Sequence, residues 1–168
     1  MSDKFDKSAE QQLAGFIGKY TPEIGALAKA ALARMRKRLP GAIELVYDNY
    51  NALAIGFGPT ERASDAILSI AVFPRWVSLF LLHGAQLADP EKLLKGSGKR
   101  ARHVVLDDAA LLDRPAVQAL MSRALECAPK PLNRTGRRRT VIKSISAKQR
   151  PRRPGGSRRQ QAVHPGTA

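Results

Sequence analysis

This 168-residue chain has a single cysteine, Cys127, and few aromatic residues: five Phe, three Tyr and one Trp. One thiol excludes an internal disulfide framework and a cysteine-rich metal centre. Long apolar runs are missing too. The most apolar stretch, residues 66–82, is broken by Ser69, Pro74, Arg75 and Ser78, well short of the roughly 20 apolar residues of a membrane span. Residues 1–12 are polar and charged, without the apolar segment of a secretory signal, so we expect a cytoplasmic protein with no membrane attachment. Acidic side chains are absent from the C-terminal quarter. Residues 129–168 carry 12 basic and no acidic side chains, whereas residues 1–128 carry 17 basic and 14 acidic, so that +12 of the net +15 resides in the last segment.

The body of the chain is patterned for structure. Thr21-Pro22-Glu23 is a helix start: Thr caps, Pro tolerates the first position, and Glu meets the positive end of the dipole. Ile24, Leu27, Ala28, Ala31, Leu32 and Met35 then recur at three and four residues, one apolar stripe. Arg36, Lys37 and Arg38 fill the last turn and Pro40-Gly41 ends it. A weaker helix precedes it over residues 9–18, with Leu13, Phe16 and Ile17 inward.

The period then changes to two. Ile43, Leu45 and Tyr47 alternate with Glu44, Val46 and Asp48; after an Asn/Asp-rich turn, Leu53, Ile55 and Phe57 alternate with Ala52, Ala54 and Gly56. This is a hairpin, and its small-residue face would admit a helix closely. Residues 66–73 and 76–82 give two more strands and Arg102–Leu106 a fifth. Asp89-Pro90-Glu91 predicts a short helix with Leu93 and Leu94 inward, and a last helix runs from about Asp113 to Ala128. The order predicts an α+β fold: N-terminal helices, an antiparallel sheet of about five strands and a C-terminal helix, helices on one face. The domain is expected over residues 1–128. Residues 129–168, rich in Arg, Pro and Gly and without aromatics, are expected to be a disordered basic tail.

Residues 15–20 (GFIGKY), 40–50 (PGAIELVYDNY), 76–80 (WVSLF) and 94–99 (LKGSGK) before Arg102-His103 resemble the YdhG-like family, small bacterial proteins built on a domain of unknown function. The resemblance spreads over residues 10–128. It implies a frataxin-related two-layer α/β sandwich, no general catalytic assignment and, for one branch, iron delivery as cargo. Frataxin-type iron binding uses a carboxylate-rich helix ridge, since hard cations prefer oxygen ligands. The long helix here holds one carboxylate, Glu23, and five bases, Lys29, Arg34, Arg36, Lys37 and Arg38. No cofactor is expected from the residues themselves.

Candidate chemistry is sparse. The Lys95-Gly96-Ser97-Gly98-Lys99-Arg100 loop has Leu93 and Arg100 where a Walker loop needs Gly and Ser or Thr, which excludes nucleotide hydrolysis of that type. Its glycines, Gly96 and Gly98, would permit a small anion nest with Lys95, Lys99, Arg100 and Arg102 around it and His103 in the same candidate site, set against an ordinary helix-to-strand connection. Tyr47, Asp48, Asn49, Tyr50 and Asn51 concentrate aromatic and amide groups at one hairpin, with Arg75 and Trp76 as candidate neighbours for a small ligand, set against plain Asx turn chemistry. His83 and His103 lie at strand ends without metal-ligand spacing. Cys127 has no evident base beside it, and no arrangement gives a positive reason to expect an enzyme. The strongest signal is electrostatic: Arg137, Arg138, Arg139, Arg152, Arg153, Arg158 and Arg159 should attract nucleic acid or another polyanion in a salt-sensitive, sequence-tolerant way. The sequence therefore points to a non-catalytic binding or accessory module with a polyanion-attracting tail, for an unknown small ligand or protein partner, with a nucleic-acid-associated accessory protein and an iron chaperone as alternatives.

Overall fold

The backbone of Thr21 is extended, and its hydroxyl accepts the Ile24 N–H at 3.3 Å, starting α2 (Pro22–Arg38) as the Thr-Pro-Glu sequence requires. In the computed structural model, which describes residues 2–155, this helix follows α1 (Ser2–Gly18). Five strands then run as a meander: β1 (Ile43–Asp48), β2 (Leu53–Gly58), β3 (Leu68–Val72), β4 (Val77–Leu81) and β5 (Arg102–Leu106). They are followed by α3 (Pro115–Cys127) and β6 (Arg139–Ile145). The sheet order is β5-β4-β3-β2-β1-β6, antiparallel throughout except where β6 runs parallel to β1. The described chain is thus α+β with a six-stranded mixed sheet.

The core lies between the sheet and the helices. Leu53, Ile55 and Phe57 of β2, Leu68, Ile70 and Val72 of β3, and Val77, Leu79 and Leu81 of β4 meet Leu13 and Phe16 of α1, Ala28, Leu32 and Met35 of α2, and Leu120 and Met121 of α3. Tyr20, between the first two helices, closes this layer. Its buried hydroxyl donates to the Val72 carbonyl at 2.7 Å and accepts the Leu53 N–H at 3.1 Å, bridging β2 to β3.

Several expectations are corrected. The sheet is not wholly antiparallel, and α3 is not the last element, because the basic segment continues into β6. Residues 129–155 are therefore not a disordered tail, and the hydrogen-bonded sheet extends past residue 128. An Arg/Pro/Gly-rich segment cannot build a core of its own. Thr140, Val141 and Ile142 instead supply β-branched residues to an existing edge, and β6 packs against α1. Arg158 and Arg159 lie outside the described residues.

The small face of β2 is turned the other way. Ala54 and Gly56 point away from the helices, and the turn at Ala63–Asp65 crosses there, with Ala66 so close to Gly56 and Gly58 that a side chain at Gly58 would strike it. On β1 the helix-facing alternates are Glu44, Val46 and Asp48, so two carboxylates enter the core layer fully buried. The helix expected after Asp89 does not form either. The Asp89 carboxylate accepts the Leu93 and Leu94 N–H groups at 2.9 and 2.8 Å, a local arrangement that competes with helix, while Leu93 and Leu94 still pack on the core.

Candidate functional site

Two buried carboxylates on β1 explain why the basic segment is held. At one end of the strand, Glu44 receives Arg36 through both oxygens, at 2.8 and 2.9 Å, and Arg138 at 3.3 Å. Glu10 of α1 joins them, accepting from Arg36 at 2.6 Å, from Arg138 at 3.0 Å and from the Thr140 hydroxyl at 2.8 Å. Burial alone would raise the Glu10 carboxyl, but Arg138, Thr140 and Arg36 together hold it below its ordinary value. At the other end, Asp48 pairs with Lys19 at 2.8 Å and Arg152 at 2.9 Å. Burial again works upward on Asp48 and is overcome by Lys19, Gln149 and Arg152, leaving its pKa lowered.

From this second anchor the chain runs along one end of the sheet. Ser146 donates its N–H to the Asp48 carbonyl and Arg150 to the Tyr50 carbonyl, both at 2.9 Å. Arg152 also donates to the Asn49 carbonyl. The segment thereby lies beside the β1–β2 turn, with the Arg150 guanidinium 5.5 Å from the Tyr50 ring centroid. Arg153 donates to the Lys19 carbonyl at 3.2 Å. Pro154 then lines a cleft of about 440 Å³ with Pro74 and Arg75 of the β3–β4 turn and Thr21 to Ile24 at the start of α2. In that turn Trp76 stacks on Phe73 at 4.7 Å and 19°.

The exposed large hydrophobic residues among those described are Tyr50 at 48%, Trp76 at 43% and Ile145 at 54%. All of them sit at this end of the sheet: Ile145 pairs with Asp48, and the Tyr50 and Trp76 turns close adjacent hairpins. Arg75, next to Trp76 in sequence, and Arg150, over the Tyr50 ring, are exposed as well, as are Lys148 and Arg153 of the same docked segment. Aromatic faces and cations thus share one surface.

The sequence-nominated residues fall into separate places. Lys95 and His103 bridge through backbone hydrogen bonds at 2.8 and 2.9 Å. Gly96 has φ +116°, and His103 stacks on Phe80 at 5.1 Å. Arg102 donates to the Gly98 and Ala101 carbonyls, so it holds the loop's own backbone. Lys99 and Arg100 are exposed. This loop leads into β5 at Arg102, which pairs with Leu81, whereas Tyr47, Asn49 and Trp76 lie toward the other end of the sheet. The two loops do not form one site. The Tyr47 hydroxyl is buried without a hydrogen-bond partner, and burial raises its pKa. Of the nominated arginines, Arg138 and Arg152 are anchors and Arg139 pairs with Glu61 at 2.7 Å, while Arg137 is exposed but has partners of its own.

Tyr50 was legible as part of the hairpin cluster. Arg150 was not, because only the parallel pairing of β6 with β1 delivers it there. Among the described residues no group of three or more His, Cys, Asp or Glu could hold a metal ion, and no helix is long and apolar enough to cross a membrane. No protein-family model, curated protein or solved structure matches the chain.

Proposed function

We propose that this chain is a non-catalytic accessory module that binds polyanions, nucleic acid foremost, and that it belongs with the YdhG-like proteins it resembles, with their frataxin-related sandwich. The observation that carries the binding role is the docked basic segment: Arg138 and Arg152 are consumed as anchors, and Lys148, Arg150 and Arg153 of the same segment are left exposed, Arg150 over the Tyr50 ring. Spaced cations on a fixed backbone gain affinity for phosphates by releasing condensed counterions, and that gain falls steeply with salt.

Iron as cargo has less support. Glu10 and Glu44 converge, but on the guanidinium groups of Arg36 and Arg138, so an iron ion would have to displace two cations from its oxygen ligands.

The test is fluorescence polarisation of the full chain against duplex and single-stranded DNA and RNA over a salt series. Deleting residues 129–168 would also remove β6 and the partners of Glu44 and Asp48, so the comparison uses Lys148→Gln, Arg150→Gln and Arg153→Gln combined. Wild type is expected to bind with log affinity falling by about 0.7 to 0.9 per contacted phosphate against log salt, and the triple variant to lose most of the slope. Absence of binding at low salt would overturn the reading.

A further inference from the structure

The basic segment contributes charge but no aromatic residue, and on its own would grip any polyanion alike. Its docking changes that. It lays Arg150 over Tyr50 at 5.5 Å and carries Pro154 to the cleft shared with Arg75, next in sequence to Trp76. Neighbouring strands lie about 4.8 Å apart, so the β1–β2 and β3–β4 turns, two strands apart in the sheet order, are roughly 10 Å apart. Tyr50 and Trp76 are both about half exposed. Trp76 has one ring neighbour in Phe73.

Resting on the polyanion reading above, we infer that the partner is single-stranded nucleic acid, with Tyr50 and Trp76 as stacking platforms for unpaired bases and Arg150, Arg153 and Arg75 against the phosphates. Base stacking on an aromatic ring is sequence-tolerant, because every base has a π face, and it is denied to a duplex whose bases are already stacked. RNA and DNA share this chemistry.

The experiment uses the full chain, oligo-U and oligo-dT strands of about 12 nucleotides, in the range of known single-strand sites, a duplex of equal length, and heparin as a polyanion without bases. Trp76 is the sole tryptophan, so a base stacked on it is reported directly by its fluorescence. We expect either single strand to quench Trp76 and to bind more tightly than the duplex, and heparin to bind without quenching. Tyr50→Ala should weaken single-strand binding about ten-fold, the loss of one stacked base, with Tyr50→Phe restoring it and duplex affinity falling less. Equal binding of duplex and single strand with Trp76 fluorescence unchanged would overturn this inference and leave the polyanion reading standing. Quenching by heparin equal to that by the oligonucleotides would overturn it as well. Failure of every polyanion to bind would remove both.

Discussion

Arg152 reaches back 104 residues to place its guanidinium 2.9 Å from the Asp48 carboxylate, with both side chains buried. Removing one partner of a buried pair leaves the other charge uncompensated, at a cost of about 3–5 kcal/mol. Lys19 remains on Asp48, so Arg152→Met is expected at the lower end, about 3 kcal/mol, read from urea midpoints. Arg153→Met next door, exposed and bonded only to the Lys19 carbonyl among the described contacts, should stay within about 0.5 kcal/mol of wild type. Asp48→Leu added to Arg152→Met should recover part of the loss. Equal losses for Arg152 and Arg153 would mean the pair does not anchor the segment.

Tyr20 makes its contribution with one oxygen. The hydroxyl serves both Val72 and Leu53 where β2 and β3 part, so Tyr20→Phe leaves a buried donor and acceptor unmet. The expected destabilisation is about 1–3 kcal/mol, and hydrogen exchange should show the Leu53 amide losing protection ahead of the strand centres. An unchanged Leu53 amide would show that water replaces the hydroxyl.

What the sequence conveyed depended on whether the cause was local. The Thr21-Pro22 cap and the cationic last turn set α2 residue by residue, and the fifth strand expected at Arg102–Leu106 forms there as β5. Local chemistry also misled at Asp89, where the same side chain that would cap a helix bonds the Leu93 and Leu94 amides instead. The non-local part was not legible. Glu44 and Asp48 follow a strand's alternation as solvent-facing residues would, and their burial is compensated by Arg36 and Lys19 together with arginines about a hundred residues away. The same pairings turn the basic segment from an expected tail into a sheet strand. The aromatic-cationic surface follows from that docking, so half of it, Tyr50 and Trp76, was visible in the sequence while Arg150 was not.

The anchors also set the acid limit of the fold. Glu10 and Asp48 both have folded-state pKa values below their ordinary ones, burial being overcome by the cations and hydrogen bonds around them. A depressed pKa contributes stability that is present above the unfolded value and is lost as pH falls through the folded one. Tm is therefore expected to hold from neutrality to about pH 5 and to fall below about pH 4, where unfolded carboxylates begin to take up protons. In Arg152→Met the Asp48 carboxyl loses a partner and the acid-dependent loss should shrink. Parallel Tm-against-pH curves for the two proteins would sink this assignment.

Gly41 tests whether β6 docks as described. Its φ is +81°, a left-handed conformation that costs other residues about 1–2 kcal/mol. A Cβ there would also run into the Asn133 carbonyl oxygen and lie 3.0 Å from that of Gly136. These carbonyls belong to the turn that feeds β6, which pairs with β1 from Ile43 and Arg139 onward. Gly41→Ala should therefore cost more than the backbone strain alone, above about 2 kcal/mol, and hydrogen exchange should accelerate first in residues 139–145. Gly15→Ala provides the contrast: it lies within α1 with nothing within 4 Å of its Cβ position, and it should stabilise by about 0.5–1 kcal/mol. If Gly41→Ala left the amides of residues 139–145 as protected as in wild type, the turn at 133–136 would not be seated on Gly41. The basic segment would then have to be held by its arginines alone.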